Sequence, residues 1–328
     1  MKDSLEILKI AGLALCSPLI ALGWLVSFPV NCIVRARNRK LVETPLGEFV
    51  EVDGHRMSVF MTGHGDHTIV FLPGLCSTSP ILEFKPLYSL LQDEFRIVVP
   101  EKFGYGHSDI VKENRDYMNT VEQYRKALAA LHIKGPFIIC AHSLGGNEAE
   151  LWAQHYPNEV EAFVGIDANL ANYPCDWSED FWVRHWRLEA FWYHLRRLAG
   201  WCRNDFRPGL KKLLSKEDLR LYRELSCKND GNFDTYSEIL NKASANELIN
   251  GRALPTQPTL QFVNAPEWYI KGGEGKFGPY EEDWIKAHQE LVDASVNGTL
   301  SYSFCGHCIH CFEFERMARE MKAFISAL

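Results

Sequence analysis

Short apolar runs punctuate the chain and alternate with stretches of helical spacing. Phe49–Gly54 and Met57–Thr62 read as two strands joined by a short turn at Asp53-Gly54. Thr68–Leu72 ends in Pro73-Gly74, and Phe95–Pro100 runs into Glu101. Phe137–Cys140, Ala162–Ile166, Thr259–Val263 and Thr299–Ser303 are further strands. Between them, Ile81–Gln92, Tyr117–Leu131, Asn147–His155 and Glu313–Leu328 carry apolar residues at helical spacing. Near-continuous apolar strands alternating with helices predict an α/β fold, a mostly parallel, doubly wound sheet covered on both faces. The first two strands form its antiparallel edge.

The alternation stops at about residue 172 and resumes after 255. Leu214–Leu225 and Tyr236–Ile249 have helical spacing, and no convincing strand falls in this block. Five of the nine tryptophans do (177, 182, 186, 192 and 201). The pattern predicts a helical cap over 172–255, inserted between two parts of one core, 41–171 and 256–328.

Residues 1–40 form a separate N-terminal segment. From Ile10 to Val30 no residue is charged, and 21 positions are enough to cross a hydrocarbon core of roughly 30 Å as a helix. Asp3 and Glu6 offset Lys2 and Lys9, and no A-x-A-like site follows, so a cleaved signal peptide is the poorer reading. No polar face at 3.6-residue period is visible. Arg35, Arg37, Arg39 and Lys40 follow the segment. The expectation is a single-pass or interfacial anchor through residues 10–30, with the rest of the chain cytoplasmic by the positive-inside rule.

Composition narrows the classes. Of 328 residues, 46% are apolar and 23% charged, which excludes global disorder. A net charge of −7 leaves no basic excess for neutralising phosphates, so a dedicated nucleic-acid binder is not expected. Ten cysteines lie mostly in apolar surroundings and read as buried free thiols. Nothing in the sequence bears on oligomeric state.

The most informative stretch is Phe137-Ile-Ile-Cys-Ala-His-Ser-Leu-Gly-Gly146. A strand runs into a small-x-Ser-x-Gly turn and directly into a helix. A nucleophile held at so tight a turn projects its Oγ above the sheet, and the residues two before and two after it must be small. Ala141 and Gly145 are. The turn also sets Ser143 at a helix N-terminus, where free N–H groups favour a developing oxyanion.

With FLPGLCS at 71–77, EKFGYGHSD at 101–109 and CGHCIH at 305–310, this stretch resembles the α/β-hydrolase family over about residues 48–328. Pro73, Glu101 and Ala141 depart from the family pattern without removing a reacting group. The resemblance implies a serine hydrolase with Ser143 as nucleophile and His307 as base. His310 is the rival base, and His142 points away from the nucleophile at the elbow. Chain order places the acid between serine and histidine. The commoner family position, after the strand ending at Asn264-Ala265, carries no carboxylate until Glu267. The other family position holds Asp167, 24 residues after Ser143, and is favoured over Glu267. The oxyanion hole falls to the N–H groups of Leu75 and Leu144, with Cys76 a neighbour.

Cys305, Cys308 and Cys311 have zinc-like spacing. Metal ligation there would compete with His307 for its role, so packed thiols are expected and neither metal nor cofactor. The predicted activity is cleavage of a carboxylic ester with an apolar acyl group, because Phe181, Trp182, Trp186, Phe191, Trp192, Tyr193 and Trp201 crowd the cap. Amide, thioester or C–C hydrolysis, acyl transfer, and a receptor or scaffold with little turnover remain open.

Overall fold

The structure is a computed structural model that describes residues 17–173, 186–278 and 281–328. The expectations for residues 10–16, Trp177, Phe181 and Trp182, and for the side chain of Trp186, lie outside the described residues.

Eight strands form one sheet: β1 (Glu48–Val52), β2 (His55–Thr62), β3 (Thr68–Leu72), β4 (Arg96–Glu101), β5 (Phe137–His142), β6 (Val160–Ile166), β7 (Thr259–Asn264) and β8 (Gly298–Ser303). Their order is β1-β2-β4-β3-β5-β6-β7-β8. The pairs β1/β2 and β2/β4 are antiparallel, and every other pair is parallel. The predicted doubly wound sheet with an antiparallel edge is the fold observed.

The apolar runs are continuous because both faces of the sheet are covered. Val70, Leu72, Val98, Ile139, Ala141 and Phe163 point to one face. Their neighbours Ile69, Phe71, Ile97, Ile138, Cys140 and Val164 point to the other.

Ten helices complete the described residues: α1 (Ser17–Glu43), α2 (Pro80–Tyr88), α3 (Tyr117–Ala130), α4 (Gly145–His155), α5 (Trp186–Ala199), α6 (Lys216–Asn229), α7 (Phe233–Asn250), α8 (Glu267–Ile270), α9 (Glu281–Ala294) and α10 (Phe314–Ile325). Helices α3 and α4 cover the first face through Val121, Tyr124, Leu128 and Trp152. Helices α2 and α10 cover the second through Ile81, Phe84, Met317 and Met321. Asp116 caps α3 by accepting from the Met118 N–H, and Asn232 caps α7 through Asp234 and Thr235.

Helix α1 runs past residue 40 to Glu43 as one element. Among the described residues, its stretch Ile20–Glu43 is the one helix long and apolar enough to cross a membrane by length and composition. Its near side is not apolar, however. Trp24 Nε1 donates to the Leu195 carbonyl at 3.0 Å, and Asn31 Nδ2 donates to the Leu198 carbonyl at 2.8 Å. The helix is bonded to α5, an arrangement that the apolar run did not suggest.

A buried charge cluster ties the region 186–250 to the sheet. Lys102, fully buried just after β4, pairs with Glu148 of α4 at 2.7 Å and Glu238 of α7 at 3.0 Å. Arg115 also meets Glu238, at 2.7 Å. Burial pushes the Glu148 carboxyl up from its ordinary value, and the Lys102 ammonium opposes that shift. Replacing Lys102 with Met leaves two buried carboxylates sharing one arginine. The expected loss is about 3–5 kcal/mol of unfolding free energy, measured by urea denaturation. A loss under about 1 kcal/mol would show that the cluster does not hold these elements together.

Candidate active site

The turn at the tip of β5 is strained. Ser143 has φ 52°, in the left-handed region that costs a non-glycine residue about 1–2 kcal/mol. Its carbonyl accepts from the Gly146 N–H at 2.9 Å and from the Asn169 N–H at 2.7 Å, which holds the turn against β6. The glycine two residues on is required by close approach. A Cβ on Gly145 would lie 2.8 Å from the Leu72 carbonyl oxygen of β3. A Cβ on Gly74 would lie 2.7 Å from Ser143 Cβ, so the loop after β3 sits directly against the elbow.

That loop is clamped by groups from two sides. Arg207 Nη2 donates to the Leu75 carbonyl at 2.5 Å, and the Cys76 N–H donates to Tyr105 OH at 3.1 Å. Both contacts fall on one peptide unit, so its orientation is set. Tyr105 OH in turn donates to Glu238 Oε2 at 2.9 Å, and Arg207 Nε to Glu83 Oε2 at 3.1 Å. The Cys76 N–H is committed to Tyr105, whereas the N–H groups of Leu75 and Leu144 donate to no acceptor among the described residues.

Asp167 lies at the tip of β6, buried, with φ 43°. Its Oδ2 accepts from His307 Nδ1 at 2.6 Å. Its Oδ1 accepts from Trp284 Nε1 at 2.8 Å and from the Asn264 N–H at 3.0 Å. A neutral His307 that donates through Nδ1 leaves Nε2 with a free lone pair. The side chain of His307 is 47% exposed. Glu267, the other candidate carboxylate, sits on α8, exposed, with Lys271 at 2.5 Å.

His142 packs against His307, and His310 packs edge-on against His142. His142 lies 4.8 Å from His307 and 4.6 Å from His310, ring centre to ring centre. His142 Nε2 contacts the His307 carbonyl at 3.2 Å, so the residue before Ser143 is bonded to the histidine loop. Burial pushes His142 well below the usual histidine range, and burial with the nearby Arg207 cation pushes His310 down to about 3. Neutral His142 then carries its proton on Nε2 and donates it to that carbonyl.

The three clustered cysteines part company. Cys308 and Cys311 pack among Leu82, Leu210, Leu214 and Leu225, whereas Cys305 packs at the edge of the α2/α10 face. Among the described residues no three His, Cys, Asp or Glu side chains converge as metal ligands.

Trp284 and Arg207 belong to no motif that the sequence singled out. Each reaches the site by folding from a distance in sequence, so the chain offered no local signal for them.

A doubly wound sheet with a serine at a strained turn between a central strand and its helix defines an α/β hydrolase fold. A family model of that fold matches residues 67–260, and the chain belongs to the α/β-hydrolase family. It is 32% identical to the uncharacterized protein YbdG of Bacillus subtilis over 225 residues, 65% of this chain and 67% of that one. It is 31% identical over 102 residues to 2-(acetamidomethylene)succinate hydrolase of Mesorhizobium japonicum, 30% of this chain and 34% of that one. A thermophilic esterase from Thermogutta terrifontis superposes with a TM-score of 0.64 at 15% identity, over 86% of this chain and 99% of that one.

His310 gives the site a pH signature. Its folded value of about 3 lies below the roughly 6.5 of an unfolded histidine. The unfolded chain therefore binds a proton that the native chain refuses. This contribution to stability is complete above about pH 6.5 and is lost progressively as pH falls toward 3. Urea midpoints measured across that window should fall more steeply for the native sequence than for His310→Phe, by up to about 1.4 kcal/mol per pH unit. Parallel slopes would show that His310 is not buried as a neutral ring.

Proposed function

We propose that the protein is a serine hydrolase that cleaves carboxylic esters with apolar acyl groups. One observation carries the reading: His307 is held through Nδ1 by the buried Asp167, at 2.6 Å, on the loop bonded to the serine elbow. In this reading Ser143 is the nucleophile, His307 the base and Asp167 the acid that orients it. His307 Nε2 takes the Ser143 Oγ proton as Oγ bonds to the ester carbonyl carbon. The carbonyl oxygen becomes an oxyanion held by the N–H groups of Leu75 and Leu144. Collapse breaks the bond to the alcohol, which leaves with the proton from His307. Water then repeats the sequence on the acyl-enzyme and releases the acid. Tyr105 and Arg207 act as positioning residues, since they fix the peptide unit next to the Leu75 N–H. Support for an ester comes from the serine nucleophile, which is unlike the aspartate of the fold's dehalogenases and epoxide hydrolases. The structurally similar esterase points the same way.

The cap is read as the region that selects the acyl group. Trp192 and Trp201 lie 6.1 Å apart beside α1, and Tyr193 meets Tyr236 at 6.5 Å. Such aromatics make an apolar approach. The N-terminal segment is read as a membrane attachment that keeps the enzyme near apolar substrates, with the catalytic domain on the cytoplasmic side.

Full-length protein should be labelled covalently by a fluorophosphonate probe, and Ser143→Ala should abolish labelling. Asp167→Asn should lower kcat by about 10³–10⁴-fold, and Glu267→Gln by less than about tenfold. The reverse order would make Glu267 the acid, and no labelling would leave a scaffold.

Across p-nitrophenyl esters from acetyl to palmitoyl, assayed in mild detergent, kcat/KM should rise beyond acetate. Trp192→Ala should erode the gain. Activity confined to acetate, or equal for charged and apolar acyl groups, would defeat the acyl preference.

A further inference from the structure

Helix α1 has two faces that its composition conceals. Trp24, Ser27, Asn31 and Asn38 recur at spacings of three, four and seven, so they share one side. All four bond to the neighbouring helical region. Besides the Trp24 and Asn31 contacts, Trp201 Nε1 donates to Ser27 Oγ at 3.1 Å. Arg203 Nη2 donates to Asn31 Oδ1 at 2.7 Å, and Asn38 Nδ2 donates to Glu224 Oε1 at 2.7 Å.

The opposite side carries Leu22, Leu25, Val26, Val30 and Ile33, which are 54–64% exposed. Five large aliphatic side chains in one exposed stripe mark an interaction surface. On the same side, Arg37 and Lys40 take up the line one and two turns further on. Neither they nor Arg35 has a carboxylate partner among the described residues. The chain as a whole is net −7, so a local run of four cations against Glu43 is a marked reversal of sign. An aliphatic stripe that continues into unpaired cations matches the acyl and headgroup layers of one anionic leaflet.

The same contacts argue against a helix that crosses. From Trp24 to Asn38 the helix is bonded to its neighbours over about 21 Å of its length. Those partners include the charged Arg203 and Glu224, which a crossing helix would carry into hydrocarbon. The uncharged stretch outside these contacts, Ile10–Gly23, would span about 21 Å as a helix, short of a core of about 30 Å. Lys9 and Glu6 precede it.

We propose that α1 lies in the plane of an anionic lipid leaflet. Its stripe from Leu22 to Ile33 enters the acyl boundary, and Arg37 and Lys40 engage the headgroups. The cap is thereby held against the membrane, with Leu188 and Phe191 of the adjoining α5 as further exposed apolar side chains. The inference rests on the membrane attachment proposed above and is independent of the chemistry at Ser143.

The test is flotation of the full chain with vesicles of phosphatidylcholine, alone or with about 30 mol% phosphatidylglycerol, followed by alkaline carbonate extraction. Association should be about tenfold stronger with phosphatidylglycerol, weaken in high salt, and be stripped by carbonate. The double variants Leu25→Ser/Val26→Ser and Arg37→Glu/Lys40→Glu should each weaken it about tenfold or more. Both should hydrolyse a soluble short-chain ester as the native chain does, which shows that they fold. Association that resists carbonate would overturn the in-plane placement and leave membrane attachment standing. Absence of association with either vesicle would overturn membrane attachment itself. A dimer that the Leu25→Ser/Val26→Ser variant dissociates, with no lipid binding, would assign the stripe to a second copy and overturn the proposal.

Discussion

The organisation of the site depends on one strained turn. Ser143 adopts a left-handed backbone conformation, and the surrounding packing compels it. Strand β5 is interior to a parallel sheet, and α4 must leave its tip at once to cover Ala141 and Ile139. Gly145 lets that helix pass close to the Leu72 carbonyl, and Gly74 lets the next loop close on the serine. Once the turn is made, the start of α4 lies close against the loop after β3. The position of His142 follows too, because a residue preceding the turn is driven under the histidine loop. The turn therefore fixes together the start of α4, the approach of the loop after β3 and the place of His142.

A second dependency joins the helical region 186–250 to that turn. Glu238 lies on α7, yet it receives Tyr105, Lys102 and Arg115, and Tyr105 receives the Cys76 N–H. Arg207 makes the matching contact to the Leu75 carbonyl from the other side. Moving that region would leave buried charges without partners, which is costly in a medium that cannot solvate them. The peptide unit beside the proposed oxyanion donor is thus set by tertiary electrostatics, whereas the donor at Leu144 is set by local geometry.

These two origins explain what could be read from the chain. Each strand was legible because burial on both faces writes an unbroken apolar run, and the eight observed strands differ from the expected ones by no more than two residues at either end. The elbow was legible because steric demands at 141, 143 and 145 act within five residues. Asp167 was legible as a candidate only because β6 ends there. Helices α5 and α9 were not foreseen, although α9 carries Trp284, whose indole reaches Asp167. The polar side of α1 was missed for a related reason: Trp24, Ser27 and Asn31 are mild residues whose role appears only when α5 is placed beside them. Local sterics leave marks in sequence, and long-range hydrogen bonds mostly do not.

Asn264 illustrates how such a long-range arrangement can still be selective. It ends β7, beside Asp167 at the end of β6, and its backbone N–H donates to that carboxylate at 3.0 Å. Its side-chain oxygen accepts from the Gly306 N–H at 2.8 Å, tying the strand tip to the residue before His307. A carboxylate at 264 would place a second negative charge near Asp167 and push one of the two to bind a proton. An amide of the same shape keeps the bond to Gly306 without that repulsion. With the carboxylate on β6, the neighbouring strand is thus best served by the neutral residue that it has, and the position left vacant of an acid becomes a brace for the loop that carries His307.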